Sequence, residues 1–591
     1  MSTPTKTLLA ISLSGLMLNG CSTEQADFST INIQCKATSP VTSGETSISR
    51  LSVVGTSIAD AEFDTSAAEI VSYDACTDKL YVVNAQAKQV DILKLDSQSA
   101  PQKDGFINLE MAGKHANIEI GAANSVSTYQ GLVAVAVENK NKQEAGIIAL
   151  YRSDTLALVT TYQAGALPDM VSFSKDGRYI AAANEGEPSA DYTIDPEGSV
   201  TLVDLTNGPL DARVTQIDFT AFNQGESRHS ELVDTLRISA PNASVAQDLE
   251  PEYLTFADNG KLYVALQENN AIAAIDVKNA HVEAIFGLGG KPWSHFQLDP
   301  SNKDKKLGNL NHYPQLEGLY MPDSIASYTV NGKTFIVTAN EGDGREYGFD
   351  TTQSQCDELG YSWDGDDFSG TDKYQSKLDF CIAYSDEIRG KGLDVSSDHP
   401  LFSSLSDKSQ LGRLKVVDPK QTVLPDETIS TFGSRSFSIW DESGTRVFDS
   451  GDQFANIILH SDPQNFNSSN DSNQSVDDRS DDKGVEPEAI EVASINDRFY
   501  AFVGLERQGG IMTYDITDPS NAQFINYTNN RSFEHNVCTQ VDDGECSNGV
   551  YDPQAGDLGP ESIKYFSRNG EHLLAVGNEV SGSTTVYRIE L

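Results

Sequence analysis

The sequence predicts an all-β fold built from repeats, because one short pattern returns seven times along its 591 residues. In each copy an apolar strand ends in a cluster of Asn, Glu and Gly, most fully at 179–187 and 335–343. In several copies a further strand that alternates apolar and other residues follows, as in 271–276 and 510–515. A unit of this size cannot bury its apolar face alone, so the copies are expected to pack on one another.

The elements of each unit follow in a fixed order. Turn signals such as Asn331-Gly332 and Asn569-Gly570 separate its first two strands, where tight hairpins need positive φ. The alternation in the third strands predicts that they are half-buried. The seven polar-ended second strands are 80–84, 133–139, 179–187, 262–268, 335–343, 499–506 and 573–579. Six acids stand ahead of them, five directly after proline: Glu69, Asp169, Glu252, Asp323, Glu488 and Glu561.

Short strands linked by hairpins in sheet-sized units predict a seven-bladed β-propeller. Blades are expected to start near residues 66, 121, 167, 248, 320, 485 and 559. The fifth blade is interrupted, and its outer strands are predicted at 436–440 and 446–449, after an insertion at about 345–432. An early strand at 51–54 is expected to pair beside 584–589 in the last blade, because an open ring would leave an unpaired edge.

The composition is strongly acidic, with a formal net charge of −45 spread over the whole chain. This charge argues against nucleic acid as a partner, because binding phosphates requires clustered Lys and Arg. A solvated acidic surface is the simplest explanation for most of these carboxylates.

Residues 1–20 are predicted to be a lipoprotein signal peptide. Lys6 provides a short positive region, and the apolar stretch 8–18 is too short to cross a bilayer. The stretch ends in Leu18-Asn19-Gly20-Cys21, which resembles a bacterial lipoprotein signal with Cys21 as the lipidated residue. An ordinary secretory signal is the alternative. Because Ser22 rather than Asp follows Cys21, the resemblance implies a lipid anchor in the outer membrane or at the cell surface, with 21–50 as a flexible tether and 51–591 as the propeller.

Six further cysteines indicate disulfides in an exported chain, although six cysteines allow 15 pairings. Closeness in sequence favours pairing of Cys356 with Cys381 and of Cys538 with Cys546, which leaves Cys35 with Cys76.

Matched positions in repeated blades are expected to meet at the central channel, and carboxylates gathered in this way attract Ca²⁺ or another divalent metal. The richest loops suggest Glu185, Glu187, Glu341 and Asp343 as ligands. An acidic segment at 467–488 adds three more candidates, Asp481, Asp482 and Glu488. The alternatives are that these residues form turns, or that the segment is a mobile solvated loop.

Two arginines stand among these acids, Arg345 and Arg507, and could hold the anion of a small substrate. A salt bridge that balances the local charge is the alternative for each. The sequence shows no GxSxG motif, P-loop or dinucleotide fingerprint, so the catalytic residues stay unknown.

Several motifs resemble the choice-of-anchor I family of exported propellers, which are related to mesenchyme-specific cell-surface glycoproteins. They include Leu167-Pro168-Asp169-Met170, Ala183-Asn184-Glu185-Gly186-Glu187-Pro188, Arg345-Glu346-Tyr347 and Asp478-Arg479-Ser480-Asp481-Asp482-Lys483-Gly484. The resemblance implies a YVTN/WD40-like propeller at the cell surface. The cysteine-bearing insertion at 348–385 departs from the usual family pattern.

Two functions are therefore expected from different classes. In the first, the acidic mouth holds Ca²⁺ and the protein is a metal-dependent phosphoesterase, since some members of the family are labelled alkaline phosphatase or phytase-like. In the second, the propeller is a non-catalytic adhesion or binding module for a glycan or protein, and any calcium is structural. The fold alone does not choose between them.

Overall fold

The computed structural model describes residues 47–364, 378–542 and 545–591, and the fold is all-β as predicted. The proposed signal peptide, Cys21, Cys35 and nearly all of the tether lie outside the described residues. Within the described ranges, no helix is long and apolar enough to cross a membrane. The α-helices there are short: α1 (Glu110–Ala116), α2 (Val245–Asp248), α3 (Gln353–Leu359), α4 (Phe402–Leu405) and α5 (Gln453–Ser461).

Seven antiparallel sheets of four strands, named A to G, contain most of the strand residues of the described chain. Sheet A holds β2 (Val71–Asp74), β3 (Lys79–Asn84), β4 (Gln89–Leu95) and β5 (Pro101–Asn108); sheet B holds β6 (Ile120–Tyr129), β7 (Leu132–Asn139), β8 (Ala145–Arg152) and β9 (Leu158–Ala166). Sheet C holds β10 (Pro168–Phe173), β11 (Tyr179–Asn184), β12 (Ser199–Asp204) and β13 (Arg213–Asp218); sheet D holds β14 (Pro251–Phe256), β15 (Lys261–Leu266), β16 (Ala271–Asp276) and β17 (His281–Gly287).

Of the last three sheets, E and G depart from simple chain order. Sheet E joins β20 (Ile325–Val330) and β21 (Lys333–Asn340) to the distant β28 (Ser436–Asp441) and β29 (Arg446–Asp449), as predicted. Sheet F holds β30 (Pro487–Ile495), β31 (Arg498–Leu505), β32 (Ile511–Asp515) and β33 (Gln523–Thr528). Sheet G holds β36 (Pro560–Arg568), β37 (Glu571–Asn578) and β38 (Ser583–Glu590), with β1 (Arg50–Ile58) on its edge.

The remaining strands form small sheets outside A to G. One joins β18 (Gly290–Pro292), β19 (Leu316–Leu319) and β27 (Ile429–Thr431), and another joins β22 (Glu346–Thr352), β23 (Ser362–Trp363) and β24 (Leu378–Ser385). Two pairs complete the set: β25 (Glu387–Arg389) with β26 (Lys415–Val417), and β34 (Val541–Asp542) with β35 (Glu545–Cys546). Most of them lie in the chain between β21 and β28, so this segment interrupts sheet E.

Each sheet packs against its neighbours through a buried apolar cluster. Val83 and Val135 belong to the cluster between sheets A and B, and Leu80 and Leu573 to the cluster between sheets A and G. Because both faces of a sheet are covered, β7 and β32 are buried along their whole length. The prediction of half-buried third strands is therefore wrong for β32. Its alternate side chains contact the two neighbouring sheets, so neither face of this strand meets solvent.

The hairpin prediction is confirmed at the β20–β21 turn, where Asn331 and Gly332 have φ of 52° and 74°. Both central residues therefore lie in the left-handed region that a tight two-residue hairpin requires.

The first strands of the sheets contact one another in chain order. Contacts join β2 to β6, β6 to β10, β10 to β14, β14 to β20, β20 to β30 and β30 to β36, and β36 in turn contacts β2. At the edge of sheet G, β1 pairs antiparallel with β38 and places Leu51 opposite Ile589. The pairing predicted for 51–54 is thus present, and it extends to Ile58.

Deleting residues 47–58 should remove cooperative folding, because β38 loses a ladder and Leu51 leaves the cluster it shares with Ile589. A chain that begins at residue 47 is the matched control and should melt like the full chain. Thermal melts and limited proteolysis measure the difference. Equal melting midpoints for the two truncations would contradict a structural role for β1.

Candidate functional site

β-Bulges at the start of four first strands displace an acidic residue from the ladder. In sheet C, Asp169 and Met170 together oppose the single residue Ala183. The ladder shifts in the same way after Pro251, Pro487 and Pro560. A bulge changes the direction of a side chain. The residue after the proline can therefore leave the strand's own packing and meet acids from other sheets.

Two of these displaced acids, from sheets F and G, meet a third acid that lies just before the first strand of sheet E. Asp323, Glu488 and Glu561, called here the inner triad, have one carboxylate oxygen each within 4.8 Å of the other two. Glu488 Oε2 is shielded from solvent and has no hydrogen-bond partner among the described residues. Three hard oxygen donors at this spacing are suited to a divalent cation.

A second tier of carboxylates lies where the second strands end. Six of the seven sheets contribute to it: Glu138, Glu185, Glu268, Glu341, Glu506 and Glu579. The two tiers interact electrostatically, because Glu561 repels Glu579 and Glu69, and Asp323 repels Glu341. Acids as distant in sequence as Glu69 and Glu561 therefore share one central region.

Burial is the main cause of the raised carboxyl pKa values in this region. It raises the pKa of Asp169 and Glu268 to about 7, and neighbouring carboxylates add to the shift. Burial also raises the pKa of Glu506 to about 8 and that of Glu579 to about 7, although Arg507 opposes both shifts. In the inner triad, burial and then the charge of Glu561 hold the pKa of Glu488 well above its usual range.

A cavity of about 330 Å³ adjoins the inner triad on the side of sheets A to C. Asp323 and Glu561 of the triad line it, together with Glu69, Asp169 and Glu185. The centre of the molecule is therefore an open acidic space and not a packed core.

A second triad, formed by Glu341, Glu486 and Glu506, already has cations. Its carboxylate oxygens also lie within 4.8 Å of one another, and all three side chains are buried. Lys483 Nζ lies 2.7 Å from Glu341 and 3.4 Å from Glu486. Arg507 approaches Glu506 at 3.1 Å, so this triad is neutralised by the chain itself.

Comparison with known proteins identifies the family. The profile of the Choice-of-anchor I domain matches residues 69–519, which is most of the chain. The chain belongs to the choice-of-anchor I family.

Two curated proteins are similar to this choice-of-anchor I chain. A mesenchyme-specific cell surface glycoprotein from Strongylocentrotus purpuratus is 26% identical over 346 residues, which cover 52% of the chain and 41% of that protein. Gigasin-3a from Magallana gigas is 28% identical over 198 residues, which cover 32% of the chain and 67% of that protein. The chain thus spans about two-fifths of the length of the sea-urchin relative.

Solved structures resemble the chain only loosely. Hydrazine synthase of Kuenenia stuttgartiensis aligns with 90% of the chain and 99% of its own, at 10% identity and a TM-score of 0.41. The Cps50 (Swd1) β-propeller domain of Myceliophteria thermophila aligns with 92% of the chain and all of its own, at 7% identity and a TM-score of 0.39.

The structure divides the four loop acids predicted to meet as metal ligands into two groups. Glu185 and Glu187 line the 330 Å³ cavity, and Lys142 lies 3.4 Å from Glu187. Glu341 and Asp343 instead share the amine of Lys483, at 2.7 Å and 3.1 Å. Both members of the second group thus have a cation from the chain, which leaves the cavity as the place where uncompensated charge is concentrated.

The acidic segment near residue 480 in this choice-of-anchor I chain is an ion-pair network. Arg413 lies 2.7 Å from Asp481, and Arg479 lies 3.3 Å from Asp482. Both aspartates are buried. Basic residues of the chain thus already balance the charge of both predicted ligands. Glu488, the third ligand predicted there, lies in the inner triad, where the described structure shows no basic partner for it at salt-bridge distance.

Arg345 is not available to hold a substrate. Its side chain is completely buried, and all five N–H donors are used. Nε and Nη2 donate to Glu250 Oε2, Nη1 donates to Asp248 and Ser239, and Nη2 also donates to the carbonyl of Asp248. Arg345 therefore fixes the start of the insertion onto the loop before sheet D, and the salt-bridge alternative is the correct one for this residue.

Arg507, the other predicted anion-holding residue, is 30% exposed but also bound. Its Nε lies 3.2 Å from Glu486 and 3.1 Å from Glu506, and Nη1 donates to Asn470. Two carboxylates therefore share its single charge, and an incoming anion would have to compete with both.

Two of the predicted disulfides are confirmed. Cys356 of α3 pairs with Cys381 of β24, and Cys538 pairs with Cys546. The third prediction involves Cys35, which lies outside the described residues. The first of these bridges ties α3 of the insertion to its small sheet.

Asp323 and Glu561 were not among the sequence-based ligand candidates. The signal was present in the sequence, because both follow proline at the start of a first strand, as Glu488 does. The Asn-Glu-Gly loops were favoured instead, since the β-bulge that displaces the post-proline acids cannot be recognised from the residues alone.

Neutralising one central acid should change how stability depends on pH. A carboxyl whose pKa is raised by folding stabilises the native state at low pH, and that contribution is lost as pH rises through the folded pKa. The pKa of Asp169 is about 4 in the unfolded chain and about 7 in the folded one, so the loss of stability falls between these two pH values. The melting temperature of chelator-treated Asp169→Asn should therefore fall less between pH 5 and 8 than that of the unchanged protein. At pH 8 the variant should melt roughly 1–3 °C higher.

The matched control is Glu110→Gln, which removes an exposed charge from α1. Melting curves of both variants and the unchanged protein at several pH values provide the comparison. If Asp169→Asn follows the same pH profile as Glu110→Gln, the carboxyl of Asp169 titrates normally and the assigned electrostatics are wrong.

Proposed function

We propose that this choice-of-anchor I protein is an exported, lipid-anchored β-propeller at the cell surface, whose acidic centre holds a divalent cation such as Ca²⁺ and supports a non-catalytic binding surface. In this proposal sheets A to G are seven blades. The contacts between successive first strands, including β36 with β2, support a ring, and the pairing of β1 with β38 supports its closure.

The inner triad carries the cation proposal. Asp323, Glu488 and Glu561 offer at least three oxygens within 4.8 Å of one another, and Ca²⁺ takes six to eight oxygen ligands in flexible geometry. Glu488 Oε2 has no hydrogen-bond partner in the described structure, although it is shielded from solvent. A buried acceptor without a partner is costly, and a bound cation would remove that cost.

A binding module agrees better with the geometry than a phosphoesterase does. In a metal-dependent phosphoesterase, basic side chains commonly help the metal to hold the phosphate ester. Arg345 is saturated, Lys483 is shared by three carboxylates, and Arg507 is shared by two. A phosphate that entered the centre would also meet both tiers of acids. The metal-dependent hydrolase therefore has no specific contact in its favour.

Surface location is supported by the family and by the relatives' names. The sea-urchin relative is a cell surface glycoprotein, and the confirmed disulfides suit an oxidising compartment. In the proposal, lipid on Cys21 holds the chain to the membrane and residues 21–50 act as the tether.

Replacing Cys21 with Ser should move the protein from the membrane fraction to the soluble fraction, because the lipid is attached through that thiol. Cell fractionation with immunodetection measures the distribution. Unchanged membrane association in the Cys21→Ser variant would rule out the lipid anchor.

Calcium should raise the melting midpoint of chelator-treated protein, because a ligand that binds only the native state stabilises it. Glu488→Gln should weaken binding at least tenfold in isothermal titration, since it removes one charged ligand of the inner triad. Glu110→Gln should bind like the unchanged protein. A midpoint that does not respond to calcium or chelator, or equal affinities for all three proteins, would contradict the cation site. Turnover of a chromogenic phosphomonoester would instead favour the hydrolase.

A further inference from the structure

The 330 Å³ cavity beside the inner triad is much larger than a cation site needs. A water molecule takes up about 30 Å³ in the liquid, so the space corresponds to roughly ten waters. A single ion at the inner triad would occupy one end of it, because Asp323 and Glu561 border the cavity whereas Glu488 does not. The wall formed by sheets A to C would still face open space.

That wall is strongly charged and poorly compensated. Glu69, Glu138, Asp169, Glu185 and Glu187 line it, whereas Lys142 is its one basic lining residue among the described ones. Lys142 Nζ lies 3.4 Å from Glu187, and the side chain is 51% exposed. Although partial burial opposes it, attraction by Glu187 and Glu138 raises the pKa of Lys142. The cavity rim therefore already accommodates one primary ammonium group.

A buried hydroxyl in the same wall lacks a partner. Ser125 is 1% exposed and lines the cavity, yet its Oγ makes no hydrogen bond to any described residue. Glu69 Oε2 is likewise shielded and unpaired within the described chain. Buried polar atoms normally have partners. A ligand in the cavity that brings N–H donors would give partners to this shielded carboxylate oxygen and this hydroxyl after a small side-chain movement.

The cavity is also partly apolar. Ile70, Met170 and Tyr253 contribute to its lining between the acids. Inorganic ions gain nothing from such surface, whereas methylene groups do. Anions would be repelled, and neutral polyols would leave the carboxylate charge unbalanced. The cavity is acidic, has polar atoms without partners among the described residues and is partly apolar. A ligand that matches these three properties carries separated ammonium groups joined by short methylene chains.

We propose that this cavity binds a small organic oligo-cation, a diamine or polyamine, with its ammonium groups at Asp169, Glu185 and Glu69 and its methylene groups on Met170 and Tyr253. The inference rests on the proposed cation-binding centre, because Asp323 and Glu561 belong to both regions. Two residues can be used to distinguish the sites: Asp169 lines the cavity but lies outside the inner triad, and Glu488 belongs to the triad but does not line the cavity.

The test uses the full chain after chelator treatment, titrated calorimetrically with spermidine, with 1,4-diaminobutane and separately with Ca²⁺. The neutral 1,4-butanediol controls for the carbon chain, and sodium chloride at matched ionic strength controls for screening. Spermidine should bind, and more tightly than the diamine, because it adds an ammonium group. Butanediol should not bind.

Two variants separate this inference from the proposed calcium site. Asp169→Asn should weaken spermidine binding at least tenfold and change calcium affinity less than twofold, whereas Glu488→Gln should do the reverse. Ser125→Ala, which removes the unpaired hydroxyl, should weaken spermidine binding by a smaller factor, and circular dichroism and melting curves confirm that each variant is folded. If the unchanged protein binds spermidine but not Ca²⁺, the calcium site is contradicted and the polyamine site is not. Absence of spermidine binding, suppression of it by matched sodium chloride, or equal spermidine affinity for the unchanged protein and Asp169→Asn would overturn the polyamine site.

Discussion

Repulsion between buried carboxylates is the constraint on which the centre of this molecule depends. Strand after strand carries an acid to the same region, and burial raises the cost of ionising each one. Sheet packing holds these groups together regardless, because the apolar clusters between neighbouring sheets fix where each strand ends. The charge must therefore be balanced by protons, by basic residues of the chain or by a bound cation.

The chain balances this charge unevenly. On the side of sheets E and F, Lys483, Arg479 and Arg507 pair with the second triad, and near sheet D Arg345 pairs with Asp248 and Glu250. These contacts involve segments that are not repeated, the insertion after β21 and the segment before β30. The A-to-C side has no such insertion and retains the open cavity. Irregular additions to a regular repeat thus decide which of the central acids are balanced by the chain itself.

The repeat architecture could be predicted from the sequence because it rests on local signals: alternation, Asn-Gly turns and the recurring polar strand ends. Even the distant outer strands of sheet E were recognisable, since 436–441 has the pattern of a third strand. The site was predicted less completely. The fate of Arg345 depends on partners about 95 residues away, and no local pattern shows that Asp248 and Glu250 use all its donors. Two members of the inner triad, Glu488 and Glu561, lie at bulges that become visible only when two strands are paired.

If Asp323, Glu488 and Glu561 together hold a divalent cation, crystals grown with Mn²⁺ in place of Ca²⁺ at pH 8 should show it in an anomalous difference map. We expect a peak between the three carboxylates, within coordination distance of an oxygen from each. A map with no peak there, and with the three carboxyl groups hydrogen-bonded to one another as acids, would contradict this expectation.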